Sequence, residues 1–522
     1  MPTSGRVVFL SDWHCKISIH ELFCKFRFLR VLSLSQCSGL TEVPESLGNL
    51  KHLHSLDLSS TDIKHLPDST CLLYNLQTLK LNYCYNLEEL PLNLHKLTNL
   101  RCLEFVFTKV RKVPIHLGKL KNLQVLSSFY VGKSKESSIQ QLGELNLHRK
   151  LSIGELQNIV NPSDALAADF KNKTHLVELE LNWNWNPNQI PDDPRKDREV
   201  LENLQPSKHL EKLSIKNYGG TQFPSWFLNN SLLNVVSLRL DCCKYCLCLP
   251  PLGHLPFLKC LLIIGLDGIV NIDANFYGSS SSSFTSLETL HFSNMKEWEE
   301  WECKAETSVF PNLQHLSIEQ CPKLIGHLPE QLLHLKTLFI HDCNQLVGSA
   351  PKAVEICVLD LQDCGKLQFD YHSATLEQLV INGLPSNLNY MHLSNCSKLI
   401  ASLIGALGAN TSLETLHIGK VDVESFPDEG LLPLSLTSLW IYKCPYLKKM
   451  NYKDVCHLSS LKELILEDCP NLQCLPEEGL PKFISTLIIL GNCPLLKQRC
   501  QKPEGAVKSQ TCYPAITELQ PE

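Results

Sequence analysis

The chain has 522 residues, 43% apolar and 20% charged, and its 48 basic residues stand against 54 acidic ones for a formal net charge of −6. That balance excludes nucleic acid as the main partner, because phosphate recognition needs a basic excess or a basic stripe. Leucine, at 96 residues, is about twice as frequent as in an average globular protein, which points to a repeating unit rather than to several ordinary domains.

The N-terminus, MPTSGRVVFLSDWHC, has one arginine and an apolar run from Val7 to Leu10, too short for the core of a secretory signal. The longest apolar run, Leu261 to Ile264 with its flanks, is far below the roughly 18 residues that would cross a bilayer. No membrane span is expected, and the chain is expected in the cytoplasm or nucleus. Its 24 cysteines are then not a disulfide framework. Residues 1–28 read as the remnant of an N-terminal cap.

From there, segments beginning at Leu29, Leu53, Leu76, Leu100 and Leu123 recur every 23 or 24 residues. Each has the form L-x-x-L-x-L-x-x-C/T-x-L, as in Leu76, Leu79, Leu81, Cys84 and Leu87, followed by a step such as Leu90-Pro91. This is the leucine-rich repeat pattern. Its L-x-L core alternates like a strand, with Leu79 and Leu81 on one face and Lys80 and Asn82 on the other. One coil cannot bury its leucines alone, so coils stack behind a parallel sheet. The signal continues through Leu179/Leu181, Leu213/Ile215, Leu238/Leu240 and onward to Leu487/Ile489. The expectation is an α/β solenoid, a horseshoe of about twenty coils over residues 29–497 with a parallel sheet on its concave face, and a tail from 498 to 522.

Two steps depart from the period. Between Leu179 and Leu213 the segment PNQIPDDPRKDR makes a charged insertion near 186–200, which reads as a solvated loop. The step from Leu379 to Met391 is only 12 residues, so either one of the two is not a strand or part of the array has been lost.

Ten cysteines (37, 84, 243, 321, 343, 364, 396, 444, 469 and 493) occupy the slot after a strand. A thiol suits it as a compact hydrophobe with a weak donor. Cys242, Cys243, Cys246 and Cys248 give C-x-x-C spacing, but no second C-x-x-C completes a zinc site. Gly132-Lys133-Ser134 ends like a phosphate loop, but Ser127 stands where the motif requires glycine, so it reads as a surface turn. No catalytic constellation assembles, and no enzyme activity, cofactor or metal is expected.

The middle residue of each L-x-L points outward. In the first half these are Ser33, Asp57, Lys80, Glu104, Glu180, Ser214 and Arg239; later ones are Leu262, His291, Phe339, Val380, His417, Trp440, Ile465 and Ile488. The face reads as changing from charged to apolar and aromatic. Aromatic residues and arginine dominate the energetic centres of interfaces, so Tyr83, Trp183, Arg239, Phe339, His341, Trp440 and Tyr442 are the expected anchors for a protein partner.

The blocks HLEKLSIKNYGGTQFPSWF (209–227), LPPLGHLPFLKCL (249–261), NMKEWEEWEC (294–303) and FPNLQHLSIEQCPKL (310–324), with the recurrent Cys-Pro of Cys321-Pro322, Cys444-Pro445 and Cys469-Pro470, resemble the repeat region of plant intracellular nucleotide-binding immune receptors of the coiled-coil class. The resemblance implies defence against pathogens. The repeats would sense an effector or a guarded host protein and hold a nucleotide-binding switch off until then, and a nucleotide-binding domain in trans would be a further partner. Such receptors carry that switch before the repeats, where this sequence has 28 residues, so the chain is expected to represent the sensor part alone. The competing readings are a stand-alone interaction scaffold, either a ubiquitin-ligase substrate receptor or an extracellular inhibitor.

Overall fold

The computed structural model describes residues 7–9, 19–183, 193–228, 231–278, 283–302, 309–349 without 326 and 330, 353, 355–364, 367–368, 387–395, 407, 412–427, 431–451, 455–473 and 483–500. The chain divides into two compact units, Met1–Leu258 and Lys259–Glu522.

In the first unit, Val7–Phe9, Val31–Ser33, Ser55–Asp57, Thr78–Lys80, Cys102–Glu104 and Val125–Leu126 pair in chain order as a parallel sheet. Ser128–Tyr130, Arg149–Gly154, Leu176–Asn182, Lys212–Lys216 and Ser237–Asp241 form a second parallel run. The ladder therefore starts before Leu29: Val7 pairs with Val31, inside the segment read from sequence as a cap remnant. The second unit repeats the plan from Cys260–Ile264 to Thr486–Leu490, and most of its strands alternate half-buried and buried residues. Leu79, Leu81, Leu316 and Ile318 are completely buried, and each such leucine or isoleucine contributes roughly 2 kcal/mol of transfer free energy.

What ends each strand is a residue in the left-handed region: Tyr83 (φ 61°), Asn217 (54°), Gln320 (54°), Lys420 (51°) and others at the same place in successive coils. The turn aims its N–H at the next coil, as in Tyr83 N to Val106 O at 2.8 Å and Gln320 N to His341 O at 2.9 Å. It also drops the following slot residue inward. Cys84 donates to Leu58 O at 3.1 Å and Cys343 to Ile318 O. All the described slot cysteines are buried, while Cys396 lies outside the described residues. On the flank, Asn75, Asn99 and Asn122 each donate to a carbonyl one coil back, those of Lys51, Tyr74 and Thr98. The described connections are mostly 3₁₀ turns rather than α-helices.

Two irregular steps resolve differently from expectation. The charged insertion is not a loop throughout: Pro194–Asn203 is an α-helix capped by Asp193, whose side chain accepts from Arg195 N and Lys196 N, and its Asp197, Val200 and Leu201 are buried. Asp-Pro opening a segment is a helix-start signal, with the carboxylate capping orphan N–H groups and proline preset for the first turn. At the short step, Val358–Gln362 pairs directly with Tyr390–Ser394, placing Asp360 beside His392. Leu379, Val380 and Ile381 lie outside the described residues.

Candidate protein-docking face

On the outward face of the second unit, register sets Phe339 beside Asp360, Asp360 beside His392, His392 beside His417 and His417 beside Trp440. His341 and Tyr442 stand two residues further along their strands, on the same face. Asp360, 7% exposed, is the centre. Its Oδ1 lies 2.9 Å from His341 Nε2 and 3.0 Å from His392 Nδ1, and it accepts from Gln362 Nε2 at 3.0 Å. With its Nδ1–H donated to Asp360, His392 presents Nε2 as an acceptor to the Tyr442 hydroxyl at 2.7 Å. Tyr390 O–H reaches His417 Nδ1 at 3.2 Å. The rings continue the chain, His417 to Trp440 at 4.9 Å and Trp440 to Tyr442 at 5.7 Å between centroids.

The electrostatics follow from this packing. Burial disfavours the Asp360 carboxylate, but the hydrogen bonds from His341 and His392 outweigh it and hold its pKa below the usual carboxylate range. Burial likewise opposes charge on His341, while the bond to Asp360 raises its pKa above the ordinary value. His417 lacks an anionic partner of its own; burial, then the neighbouring His392, push it down to about 4, so at neutral pH its Nδ1 is free to accept. Burial raises Tyr442 to about 12, which keeps its hydroxyl a donor. The Trp440 indole N–H is shielded from solvent and meets no acceptor among the described residues.

Of the seven expected anchors, Phe339, His341, Trp440 and Tyr442 come together here. Tyr83 belongs to the first unit, 44% exposed at its left-handed turn and stacked on Phe107 at 5.0 Å. Arg239, also in the first unit, forks onto Asp241 Oδ2 through Nε at 3.0 Å and Nη2 at 2.6 Å. Trp183 is a correction: it is completely buried, edge-on to Tyr218 at 5.1 Å. It has the parity of Leu179 and Leu181, so it continues the inward row rather than the outward one. The late face is also less apolar than its sequence reading, since Asp360, Gln362, Tyr390 and His392 were passed over. Asp360 stands between Leu359 and Leu361, and the same L-x-L rule would have found it.

Elsewhere, Cys243 and Cys246 are buried and donate to the carbonyls of Ile215 and Gly220, and burial lifts the Cys243 thiol to about 12. After Gly132-Lys133-Ser134 comes a short 3₁₀ turn, Lys135–Ser137, with Gly132 N on Ser137 O. No group of three metal-ligating side chains in position to hold an ion occurs among the described residues, and no described helix is long and apolar enough to cross a membrane.

A ladder of parallel strands with inward leucines, left-handed exits and an outward row of mixed chemistry defines a leucine-rich repeat protein. The type within that class follows from comparison: residues 139–266 match the family of R13L1/DRL21 LRRs, and the chain is a leucine-rich repeat region of the kind carried by plant disease-resistance proteins. It is 42% identical over 439 residues to disease resistance RPP13-like protein 1 of Arabidopsis thaliana, covering 81% of this chain and 41% of that protein. It is 36% identical over 388 residues to disease resistance protein RGA1 of Solanum bulbocastanum, covering 73% and 38%. The chain thus spans about two fifths of the length of these relatives. Among solved structures, YopM from Yersinia enterocolitica aligns over 94% of this chain and 90% of that one, at 17% identity and a TM-score of 0.49.

Proposed function

We propose that the chain acts in plant defence as a recognition region, binding a pathogen effector or a guarded host protein through the outward face of its second unit. In a full receptor the same repeats would hold a nucleotide-binding switch closed. The observation that carries this reading is the row from Phe339 to Trp440: large aromatic side chains held in fixed orientation by a hydrogen-bonded centre, with the indole N–H of Trp440 lacking an acceptor. Rigid aromatic groups of this kind are what interface hot spots are made of, and stacked repeats offer such faces to partners. The disease-resistance names of the relatives supply the biological setting. The inhibitory half is a population shift, in which the repeats favour the closed state and a ligand favours the open one by differential affinity.

The test is a pair of measurements in leaf tissue. The chain supplied with an autoactive nucleotide-binding region from the Arabidopsis relative should form a recoverable complex and suppress cell death; no complex and undiminished death would remove the inhibitory half. Joined to that region in one polypeptide, the Phe339→Ala, Trp440→Ala double variant should lose pathogen-triggered cell death at unchanged protein level, and full response would remove the recognition half.

A further inference from the structure

The chemistry of the partner is written in the charge pattern of that same face, so this inference rests on the docking reading just proposed. Across the ten strands from Cys260–Ile264 to Thr486–Leu490, the outward positions hold no lysine or arginine. They hold four carboxylates, Glu319, Asp360, Glu463 and Glu467, and five histidines, at 291, 315, 341, 392 and 417. Asp360 uses only Oδ1 for His341, His392 and Gln362; Oδ2 meets no donor among the described residues. Phe339 flanks it on one side. Three strand spacings away, about 14 Å, stands the Trp440 N–H that lacks an acceptor. An unfilled carboxylate oxygen in a face without cations, followed by an unfilled donor at the reach of about four extended residues, is complementary to an extended segment carrying a cation and, further on, a free carbonyl.

We propose that this face docks an extended protein segment bearing arginine or lysine, the cation meeting Asp360 Oδ2 beside Phe339 and a backbone carbonyl meeting Trp440, with affinity that falls as the imidazoles take up protons. The sign follows from counting: five imidazoles against four carboxylates reverse the charge of the face when all are protonated. The groups facing Asp360 are His341 from the preceding strand, His392 and Tyr390 from the following one, and Gln362 on its own, with Glu319 and Tyr442 one strand beyond on either side. Nearby Lys420 is engaged with Asp363 at 2.8 Å and leaves Asp360 to the imidazoles.

The probe is a fluorescein-labelled twelve-residue Gly-Ser peptide carrying three arginines, titrated with the full chain at low salt, beside versions with citrulline or glutamate in place of arginine. At pH 7.5 the arginine peptide should bind at least tenfold tighter than the other two, and lowering the pH to 5.5 should weaken it at least fivefold. Asp360→Asn should weaken it about tenfold and the outward Glu467→Gln measurably, while Glu89→Gln on the first unit should leave it unchanged. Glu467 keeps the test valid should Asp360→Asn fail to fold. Equal or tighter binding of the glutamate peptide, or indifference to both face variants, overturns the proposal. If the double variant of Phe339 and Trp440 still abolishes the defence response, that result removes the cationic partner and leaves the docking face standing.

Discussion

Tyr442 gives its hydroxyl to His392 Nε2 at 2.7 Å across the strand of His417 that separates theirs. Gly419 makes this possible. It is the outward residue on that intervening strand, and a Cβ there would collide with the Tyr442 ring. Gly419→Ala should therefore lift the ring off the sheet and break the Tyr442–His392 bond while the inward core stays intact. The check is the ring-nitrogen NMR signal of His392, which should move toward that of a solvated histidine; an unshifted signal would count against this account.

Exchange of Trp183 for alanine should cost about 3–5 kcal/mol of stability, the range for removing a fully buried large aromatic, and should leave partner binding by the second unit unchanged. Trp440→Ala should do the reverse. Urea unfolding and the binding titration on the same two proteins measure both effects, and a stable Trp183→Ala protein would contradict the burial of that ring.

Lys173, 5% exposed, places its ammonium on the carbonyl oxygens of Leu142 and Leu145, each at 2.8 Å, and of Gly143 at 3.3 Å. Methionine keeps the length of the side chain and strips the donor from three acceptors, each worth roughly 1–3 kcal/mol when left unsatisfied in the interior. With some relief from entering water, Lys173→Met should lower stability by about 3 kcal/mol in denaturant unfolding, and Lys173→Arg by less.

Asp193→Ala removes the acceptor for Arg195 N at 2.9 Å and Lys196 N at 3.2 Å and should cost about 1 kcal/mol. Asp193→Asn should restore most of it. Hydrogen exchange at Arg195 and Lys196 reports the cap directly: exchange no faster in Asp193→Ala would show that the cap is idle.

Acid should weaken the second unit in part through His417. Its folded value of about 4 lies below the ordinary 6.5. Between those values the unfolded chain binds a proton that the folded chain refuses, so stability falls as pH drops from 6.5 toward 4. His341, shifted upward, works the other way: its contribution is present below 6.5 and is lost as pH rises through its folded value. Melting curves at pH 7 and 4.5 should show a smaller acid loss for His417→Asn than for the parent, and an equal loss would contradict the assignment.

The inward half of the molecule was legible in the sequence because the leucine spacing is the physical requirement of the fold, and Leu79, Leu316 and Leu464 are buried where the pattern puts them. The outward half was legible only where parity was kept. Trp183 was placed outward although it continues the parity of Leu181. Asp360 and His392 are 32 residues apart in the chain, and counting Leu379 as a strand between them hides that they are neighbours on adjacent strands. The helix from Pro194 was hidden by its charges, since prolines and acids suggest solvent even when Asp193 and Pro194 are the opening of a helix.

The connections between strands differ widely in length, from Ile318 to Ile340 at one extreme and from Leu181 to Ile215 or Leu361 to Leu393 at the other, yet the strands they join are paired residue for residue. Insertions and deletions in the connecting arcs are thus absorbed away from the sheet. The face can change its partner by point substitution while the arcs lengthen and shorten independently, so two kinds of variation accumulate in one chain without disturbing each other.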